Sequence, residues 1–576
     1  MQSIKSLVIA LFAVASMLTF ARPDTFDRPV HTLSVGGLTS DQSLRKTAIE
    51  AKVSAAMKRI ANESGSLAFT LAISGTSGNE FMNMSGGWAD YDAGDKFALG
   101  KLPNLPLEPN VPVAAASFEK FVTVAAMRKC VDIGKCSYTE NALKASGLAV
   151  WNNIVQPWHT QCLVSDLAKI SATTCDIPYG DNTSYSEISK ITGWKFPISF
   201  KQQISFEFST NIPRERTQNI SNLGFNLITL IIENKTGRDY YDWVRENVTR
   251  PAGVSDVEYN IASGKLELHQ PGEMSYDSRD EFTDKPQTQK SQYDGVTEVR
   301  VSEAGLIENR RGDAGVTATM RTWLKLVNTY SFIGAYAPAN INDKASSTVL
   351  SAEFFGMSGF MYRNAVRGYS FVLAFNRYAH TADGNLNTFT AWIKLREILD
   401  AEDISRYDWD LTKVSPGADQ RVCRYELTDN GVSRFFPADP VGQTALDQLI
   451  AEGRVTGRNT GDCWNMWQPG AVGTTSLYRY FYPQSSTHFF GPYTDAKFIQ
   501  NAFPNSFDYS ATFHFETIAL ASKLPDASGN CSTGVPLYRG FRATVGKQNH
   551  IYTVNKSTAQ NTADYVYEGA VFCVDL

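Results

Sequence analysis

The chain has 576 residues, of which 43% are hydrophobic, 12% aromatic and 20% charged, with a formal net charge of -5. That length exceeds what one compact core fills, so at least two domains are expected. The composition is that of an ordinary globular protein, and the mildly acidic balance without a basic block argues against a nucleic-acid partner.

The first residues, "MQSIKSLVIALFAVASMLTFARPDTF", place Lys5 before an apolar run from Ser6 to Phe20, with Ala21 following. This is the pattern of a secretory signal, and the run is short for a membrane span. Residues 1–21 are therefore expected to be a signal peptide. The mature protein is expected to be secreted, or periplasmic in a bacterium, with no stable membrane span. The eight cysteines, at 130, 136, 162, 175, 423, 463, 531 and 573, suit disulfides in such a compartment. Their spacing suggests Cys130 with Cys136, Cys162 with Cys175, and the last four among themselves. No Cys-x-x-Cys or His-Glu-x-x-His occurs, so neither a metal nor another cofactor is expected.

The periodicity from Thr39 to Ile60 predicts a helix. "LAFTLAIS" and "EFMNMSGGW" read as a β-hairpin joined by a Gly-Thr-Ser-Gly-Asn turn. A Pro-rich loop, "LPNLPLEPNVP", precedes a helix from about Ser117 to Asp132. A helix pair follows within Gln218–Asn247, then a helix from Ala314 to Tyr330. "FFGMSGFMYRN" and "GYSFVLAFNR" read as strands, and "TFTAWIKLREILDAE" as a closing amphipathic helix. Strands at both ends with helices between predict an α+β domain over 22–413 whose first and last strands share a sheet. "VSPGADQ" (414–420) reads as a linker. Beyond it, residues 421–576 hold three similar units beginning near Val422, Leu477 and Leu537, which predicts a mostly β three-repeat module.

The chemistry is concentrated in "VPVAAASFEKFVTVAAMRKCVDIGKC". Ser117 and Lys120 are three residues apart and share a helix face. Ser117 in the first turn sits where the helix N-terminus favours developing negative charge. Lys120 lies a turn deeper among apolar neighbours, where an ammonium loses its proton more easily and the neutral amine can take the serine proton. Spacing alone is weak, because Ser43-Leu44-Arg45-Lys46 fits the same pattern on a polar helix. The setting of Ser117, after a hairpin and a Pro-rich loop, is what distinguishes it.

In that setting the segment from about Leu67 to Glu402 resembles the serine β-lactamase-like family, which includes class C β-lactamases, D-alanyl-D-alanine peptidases and related esterases. "VAAASFEKFVTVAAMRKCVDIGKC" resembles its nucleophile helix. "ISNLGFNLITLIIENKTGRDYYDWVRENVTRPAGV" is similar to the segment with the Tyr-x-Asn motif, "RGDAGVTATMRTWLKLV" to a Gly-rich helix start, and "FFGMSGFMYRNAVRGYSFVLAFNR" to the third motif with its strand pair. The resemblance implies an antiparallel sheet flanked by helices, Ser117 as nucleophile and Lys120 as base. It implies Asn222 as the motif Asn that orients substrate and lysine, and Ser358, Gly359 and Phe360 as the third-motif segment. The backbone N–H groups of Ser117 and Phe360 would form the oxyanion hole, each donor worth roughly 2.7–4 kcal/mol. Two positions depart from the pattern: Ile220 replaces the motif Tyr and Met357 the motif Lys or His. Neither side chain can carry a proton or a charge. Tyr362 is a candidate replacement for the missing Tyr.

The function implied is acyl-enzyme hydrolysis of an ester, amide or peptide, weakened by those losses. A strong β-lactamase is not expected. The second reading is a catalytically inactive relative that binds a glycan or cell wall. The tail, 421–576, resembles repeats of unknown function appended to secreted hydrolases, and its aromatics serve either as a glycan platform or as the core of a small β module. Arg311-Gly312-Asp313 matches an adhesion tripeptide that recurs by chance. Gly94 to Lys101 lacks P-loop spacing, and His159 and His269 have no partner spacing.

Overall fold

In the computed structural model the described residues are 30–32, 40–75, 80–90, 105–107, 109–154, 160–167, 185–210, 221–256, 258–263, 273–274, 276–277, 279, 287–301, 305, 310–330, 348–354, 356–382, 384–402, 404, 420–427, 433–437, 450, 455–467, 475–482, 487–491, 515–526, 528–542, 549–561 and 565–575. The expected signal peptide, linker residues 414–419, the segment from Gly94 to Lys101, and Cys175, Ile220, His159 and His269 lie outside them.

The sheet is built from β1 (Val30–Thr32), β2 (Ala68–Ser74), β3 (Glu80–Asp90) and β4 (Leu105–Pro106), joined by three strands from far along the chain. These are β8 (Thr348–Phe354), β9 (Met357–Asn364) and β10 (Tyr369–Phe375). The order is β1-β3-β2-β10-β9-β8, with β4 on β3. The expected hairpin is β2 with β3, and first and last strands meet as β2 pairs antiparallel with β10. A second small sheet holds β5 (Val113–Ala114), β6 (Tyr259–Ile261) and β7 (Val316–Ala318).

Strand alternation explains the layering. Phe69, Leu71, Ile73, Phe371, Leu373 and Phe375 fill one core, against α1 (Ser40–Ser64) and α6 (Asn387–Glu402). Their neighbours Ala68, Ala72, Val372 and Ala374 face the other core. Small residues on that face let α5 (Met320–Thr329) pack close to the sheet, and α2 (Glu119–Asp132) packs on α4 (Asn222–Thr236) within the same core. Between α2 and α4 runs α3 (Phe200–Ser209), opened by a capping box between Ser199 and Gln202. The helix predicted from Ala314 starts instead at Met320, capped by Thr319, because Val316–Ala318 pairs as a strand.

The tail forms three three-stranded antiparallel sheets: β11 (Gln420–Leu427), β12 (Ser433–Pro437) and β13 (Val455–Met466); β14 (Thr475–Tyr482), β15 (Thr487–Gly491) and β16 (Phe515–Ser522); and β17 (Val535–Arg542), β18 (Asn549–Thr553) and β19 (Tyr565–Val574). In each, the first strand lies in the middle. Val422, Trp464, Leu477, Phe490, Leu537, Tyr552 and Phe572 share one core, so several of the aromatics weighed as a glycan platform are packing residues. Tyr552 donates its hydroxyl to the Phe490 carbonyl at 2.9 Å and accepts the Phe490 N–H at 2.9 Å. His550 packs on Phe541 with ring centroids 4.8 Å apart, and burial, aided by Arg539, pushes its pKa down to about 3, so it is neutral at physiological pH.

Among the described residues Cys130 pairs with Cys136, Cys423 with Cys463 and Cys531 with Cys573. Cys162 is also disulfide-bonded.

Gly87 sits at φ +89°, and a Cβ there would lie 2.0 Å from the Leu67 carbonyl oxygen. Gly87→Ala should therefore cost about 1–3 kcal/mol in chemical denaturation. An unchanged midpoint would contradict the close β2–β3 approach.

Candidate active site

The segment leading into α2 is fixed before the helix begins. Ala114 donates its N–H to the Tyr276 hydroxyl at 2.6 Å, and that hydroxyl donates to Glu273 at 2.8 Å. Ala115 donates its N–H to the Val316 carbonyl at 2.7 Å. Ala116 then takes a left-handed φ of 42°. A non-glycine residue there stores roughly 1–3 kcal/mol of strain, held by the surrounding contacts. Ser117 follows in a single 3₁₀ turn, Ala116–Phe118, that runs into α2.

Helical spacing then sends successive side chains in different directions. Lys120 donates from Nζ to Ser117 Oγ at 2.7 Å. The lysine is buried, and its Nζ lies 5.7 Å from the centroid of the Phe225 ring on α4. Phe118 packs under the sheet, where a Cβ on Gly359 would meet its ring at 2.8 Å, and against Trp323 at 5.6 Å between centroids. Glu119 points to the side opposite Ser117. It is fully buried, accepting N–H groups from Gly312 at 2.8 Å and from Gly315. One turn on, Thr123 donates to the Gly312 carbonyl at 2.7 Å and shares a 2.7 Å contact with the Tyr240 hydroxyl.

Burial pushes the Glu119 carboxyl up to about 8 from 4.5; Asp313 adds to the rise, and the two N–H groups and Arg310 pull against it. The same turn disposes of the adhesion tripeptide. Asp313 is fully buried, paired with Arg310 and accepting from Asn226 Nδ2 at 2.7 Å. Arg311 is held by Glu233 at 3.0 Å and Asp239 at 2.9 Å. Lys46 of the other Ser-x-x-Lys pairs with Glu50.

Asn222 is the first residue of α4, buried behind its cap Ser221, one turn before Phe225. Its helix packs on α2, so Asn222 opens the turn that faces Lys120.

The third-motif residues lie elsewhere. Thr348↔Arg363 through Phe354↔Met357 pair as a hairpin, and Gly356, at φ +79°, turns the chain between β8 and β9. Met357-Ser358-Gly359 therefore starts an interior strand rather than the one beside Ser117. Ser358 donates to the Arg377 carbonyl at 2.9 Å and to Asn387 Oδ1 at 2.7 Å, on the α6 side. Phe360 pairs with Ser351 on one flank and Leu373 on the other, so its backbone belongs to the sheet ladders and cannot form the oxyanion hole expected of it. Its ring lies with Trp392. Tyr362 is in the same far core, beside Phe371 and Trp392, and cannot replace the missing Tyr.

The strand that does reach the site is β8. It is the edge of the sheet and lies against the Ser117 turn. Every second N–H along such an edge points away from its only partner. Its inward residues, Leu350 and Ala352, belong to the same core as Phe118 and carry no charge. Glu353 is exposed on this edge, with His380 and Lys120 as its electrostatic neighbours.

Three features escaped sequence reading: Glu119, whose signal is an acid inside an apolar helix; Tyr276, whose role is set by remote contacts; and Glu353, whose strand is visible in the alternation of "TVLSAEF". Among the described residues no group of three His, Cys, Asp or Glu side chains could hold a metal ion, and no helix is long and apolar enough to cross a membrane. A cleft of about 720 Å³ lined by Trp194, Lys201, Glu233 and Asn234 does not include Ser117.

Because its folded pKa is raised, Glu119 supports stability most below about 4.5, and that support is lost as pH climbs toward about 8. Glu119→Gln should lower the melting temperature at acid pH and flatten its fall over that window. A variant profile as steep as the wild-type one would refute this assignment.

The β-lactamase family model matches residues 71–393, and a domain of unknown function (DUF5648) matches 447–575. Similar solved structures include D-amino acid amidase from Ochrobactrum anthropi complexed with D-phenylalanine, at 17% identity over 61% of this chain and 99% of that one, TM-score 0.42. They also include the octameric penicillin-binding protein homologue from Pyrococcus abyssi, at 13% identity over 69% and 88%, TM-score 0.39. A third is a β-lactamase/D-alanine carboxypeptidase from Pseudomonas syringae, at 13% identity over 61% and 99%, TM-score 0.39. No curated protein matches the chain at a significant level.

Proposed function

The chain belongs to the β-lactamase family, and from that premise we propose that it is an exported serine hydrolase acting on esters or amides through an acyl-enzyme. The observation that carries this reading is the 2.7 Å contact between Lys120 Nζ and Ser117 Oγ at the start of a buried helix.

With the amine neutral, the same contact lets Ser117 donate its proton to Nζ as Oγ attacks the substrate carbonyl carbon. The carbonyl oxygen gains the electron pair and is held by the Ser117 N–H and by an outward N–H of edge strand β8, in place of Phe360. The tetrahedral intermediate collapses, the bond to the leaving alkoxide or amine breaks, and the Lys120 ammonium returns the proton to it. Water then attacks the acyl carbon with its proton passing to Lys120, the bond from that carbon to Oγ breaks, the acid product leaves, and the Lys120 ammonium returns the proton to Ser117 Oγ. Asn222, at the head of the helix whose Phe225 ring lies beside Lys120, is assigned to orient substrate and amine. With Ile220 in the motif-Tyr position, Lys120 serves as both base and acid.

The inward face of β8 is apolar, at Leu350 and Ala352. Such a wall offers no charge to an anionic β-lactam, so the substrate is a neutral or cationic acyl compound. Residues 1–21 direct export, 22–413 form the hydrolase domain, and 421–576 act as a binding module for a glycan or cell wall. The sequence also favours the inactive reading, in which the whole chain is such a binding protein: Ile220 stands where the family has its proton-carrying tyrosine.

The two readings separate on hydrolysis of a p-nitrophenyl ester by the purified chain. The hydrolase reading expects turnover that Ser117→Ala abolishes and Lys120→Met lowers about 10²–10⁴-fold in kcat, with little change in KM. Equal rates in wild type and Ser117→Ala would leave only the binding protein.

A further inference from the structure

The cleft of about 720 Å³ that leaves out Ser117 is walled by the turn after the short helix Ala142–Ser146, by the start of α3 and by the end of α4. Its size falls in the range of about 300–1,000 Å³ usual for small-molecule sites. Trp194 adds an aromatic side. It is half-buried against the satellite core of Tyr185, Ile188, Ile198 and Phe206, and it also lines the cleft. The acyl-transfer mechanism uses none of these residues.

The polar groups of the lining are held in place by the protein. Glu233 Oε1 accepts Arg311 Nη1 at 3.0 Å and the Tyr240 N–H at 3.3 Å. Arg311 is braced in turn by Asp239 at 2.9 Å and lies 5.3 Å from the Tyr241 ring centroid and 5.9 Å from that of Phe200. Glu233 Oε2 faces Lys201 Nζ at 3.8 Å, beyond hydrogen-bond reach, and the lysine side chain is 69% exposed. One hydroxyl group fits between them, donating to the carboxylate and accepting from the ammonium. Asn234 donates Nδ2 to the Ala145 carbonyl at 2.9 Å, which leaves Oδ1 to accept. Gln202 spends Oε1 on the Ser199 N–H at 2.8 Å, which leaves Nε2 to donate.

A lining of this kind selects against charge and against oil. A cation would meet Lys201, an anion would meet Glu233, and an apolar ligand would strip both of water without pairing them. A neutral ring with hydroxyls at its edge and an apolar face for the indole satisfies both halves. We propose that this cleft is a saccharide-binding site of the β-lactamase-like domain, separate from Ser117 and from residues 421–576, that seats a sugar hydroxyl between Lys201 and Glu233 and the sugar face on Trp194. Binding there needs no working nucleophile, so the site stands whether or not the hydrolase reading does.

Calorimetric titration of the full chain tests it, with triacetylchitotriose, cellotriose and maltotriose as sugars and tetraglycine as a neutral peptide. Wild type should bind at least one of the sugars saturably and should not bind tetraglycine. Lys201→Ala removes an exposed side chain and leaves the packing intact; it should raise the dissociation constant about tenfold. Trp194→Ala, with its fold checked by circular dichroism, should raise it at least as much. Absence of saturable binding by all three sugars overturns the proposal. So does a constant unmoved in either variant, because the sugar then sits elsewhere on the chain. Tetraglycine binding that Lys201→Ala abolishes would give the cleft to peptides and overturn it too. Absence of Ser117-dependent ester turnover with Lys201-dependent sugar binding intact defeats the hydrolase reading alone.

Discussion

The buried grip of Glu119 on the Gly312–Gly315 turn is the constraint on which the site depends. A carboxyl taken wholly out of water costs several kcal/mol unless its oxygens are satisfied. Here two backbone N–H groups meet them, and Thr123 holds the same turn one helical turn later. Gly312 suits that position because its φ is +86° and a Cβ would lie 2.4 Å from Thr229 Cγ2. With the back of α2 fastened to this turn and Phe118 lodged under Gly359, the helix cannot roll. Ser117 and Lys120 are therefore aimed at the edge of the sheet, and the strained Ala116 is held without a glycine.

Much of this is legible in the sequence, for definite reasons. The candidate nucleophile helix announces itself because a Ser-x-x-Lys pair opens a long apolar run, and both side chains must then share a face. The hairpin and the shared first and last strands follow from period-two alternation with small residues on one face. What failed was the third motif. "FFGMSGFMYRN" looks like one strand, yet Gly356 turns the chain inside it, so the residues beside Ser117 come from the segment before the turn. A one-residue glycine at positive φ moved the assignment from an interior strand to the edge. The start of α5 was misplaced for a related reason: Val316–Ala318 is too short to read as a strand until its partners are known. Tyr276 could not be found at all, since its value lies in a hydroxyl that reaches Ala114 from far along the chain.

The corrected geometry also changes what the substitutions mean. Met357 had stood for the loss of a cation, but it is buried within the core. On β8 itself the inward residues are the uncharged Leu350 and Ala352. In the proposed function that apolar wall suits a substrate unlike a penicillin. In the proposed hydrolysis, Ile220 in the motif-tyrosine position leaves the proton balance to Lys120, whose amine touches Ser117 Oγ and lies close to the Phe225 ring.

The central claim is that this contact activates Ser117. Its most direct test is intact mass after exposure of the folded protein to a fluorophosphonate, for wild type and Ser117→Ala. The account predicts one covalent adduct on wild type, mapped to Ser117 and missing from the variant. An unmodified wild-type mass, or an adduct that persists in Ser117→Ala, would contradict it.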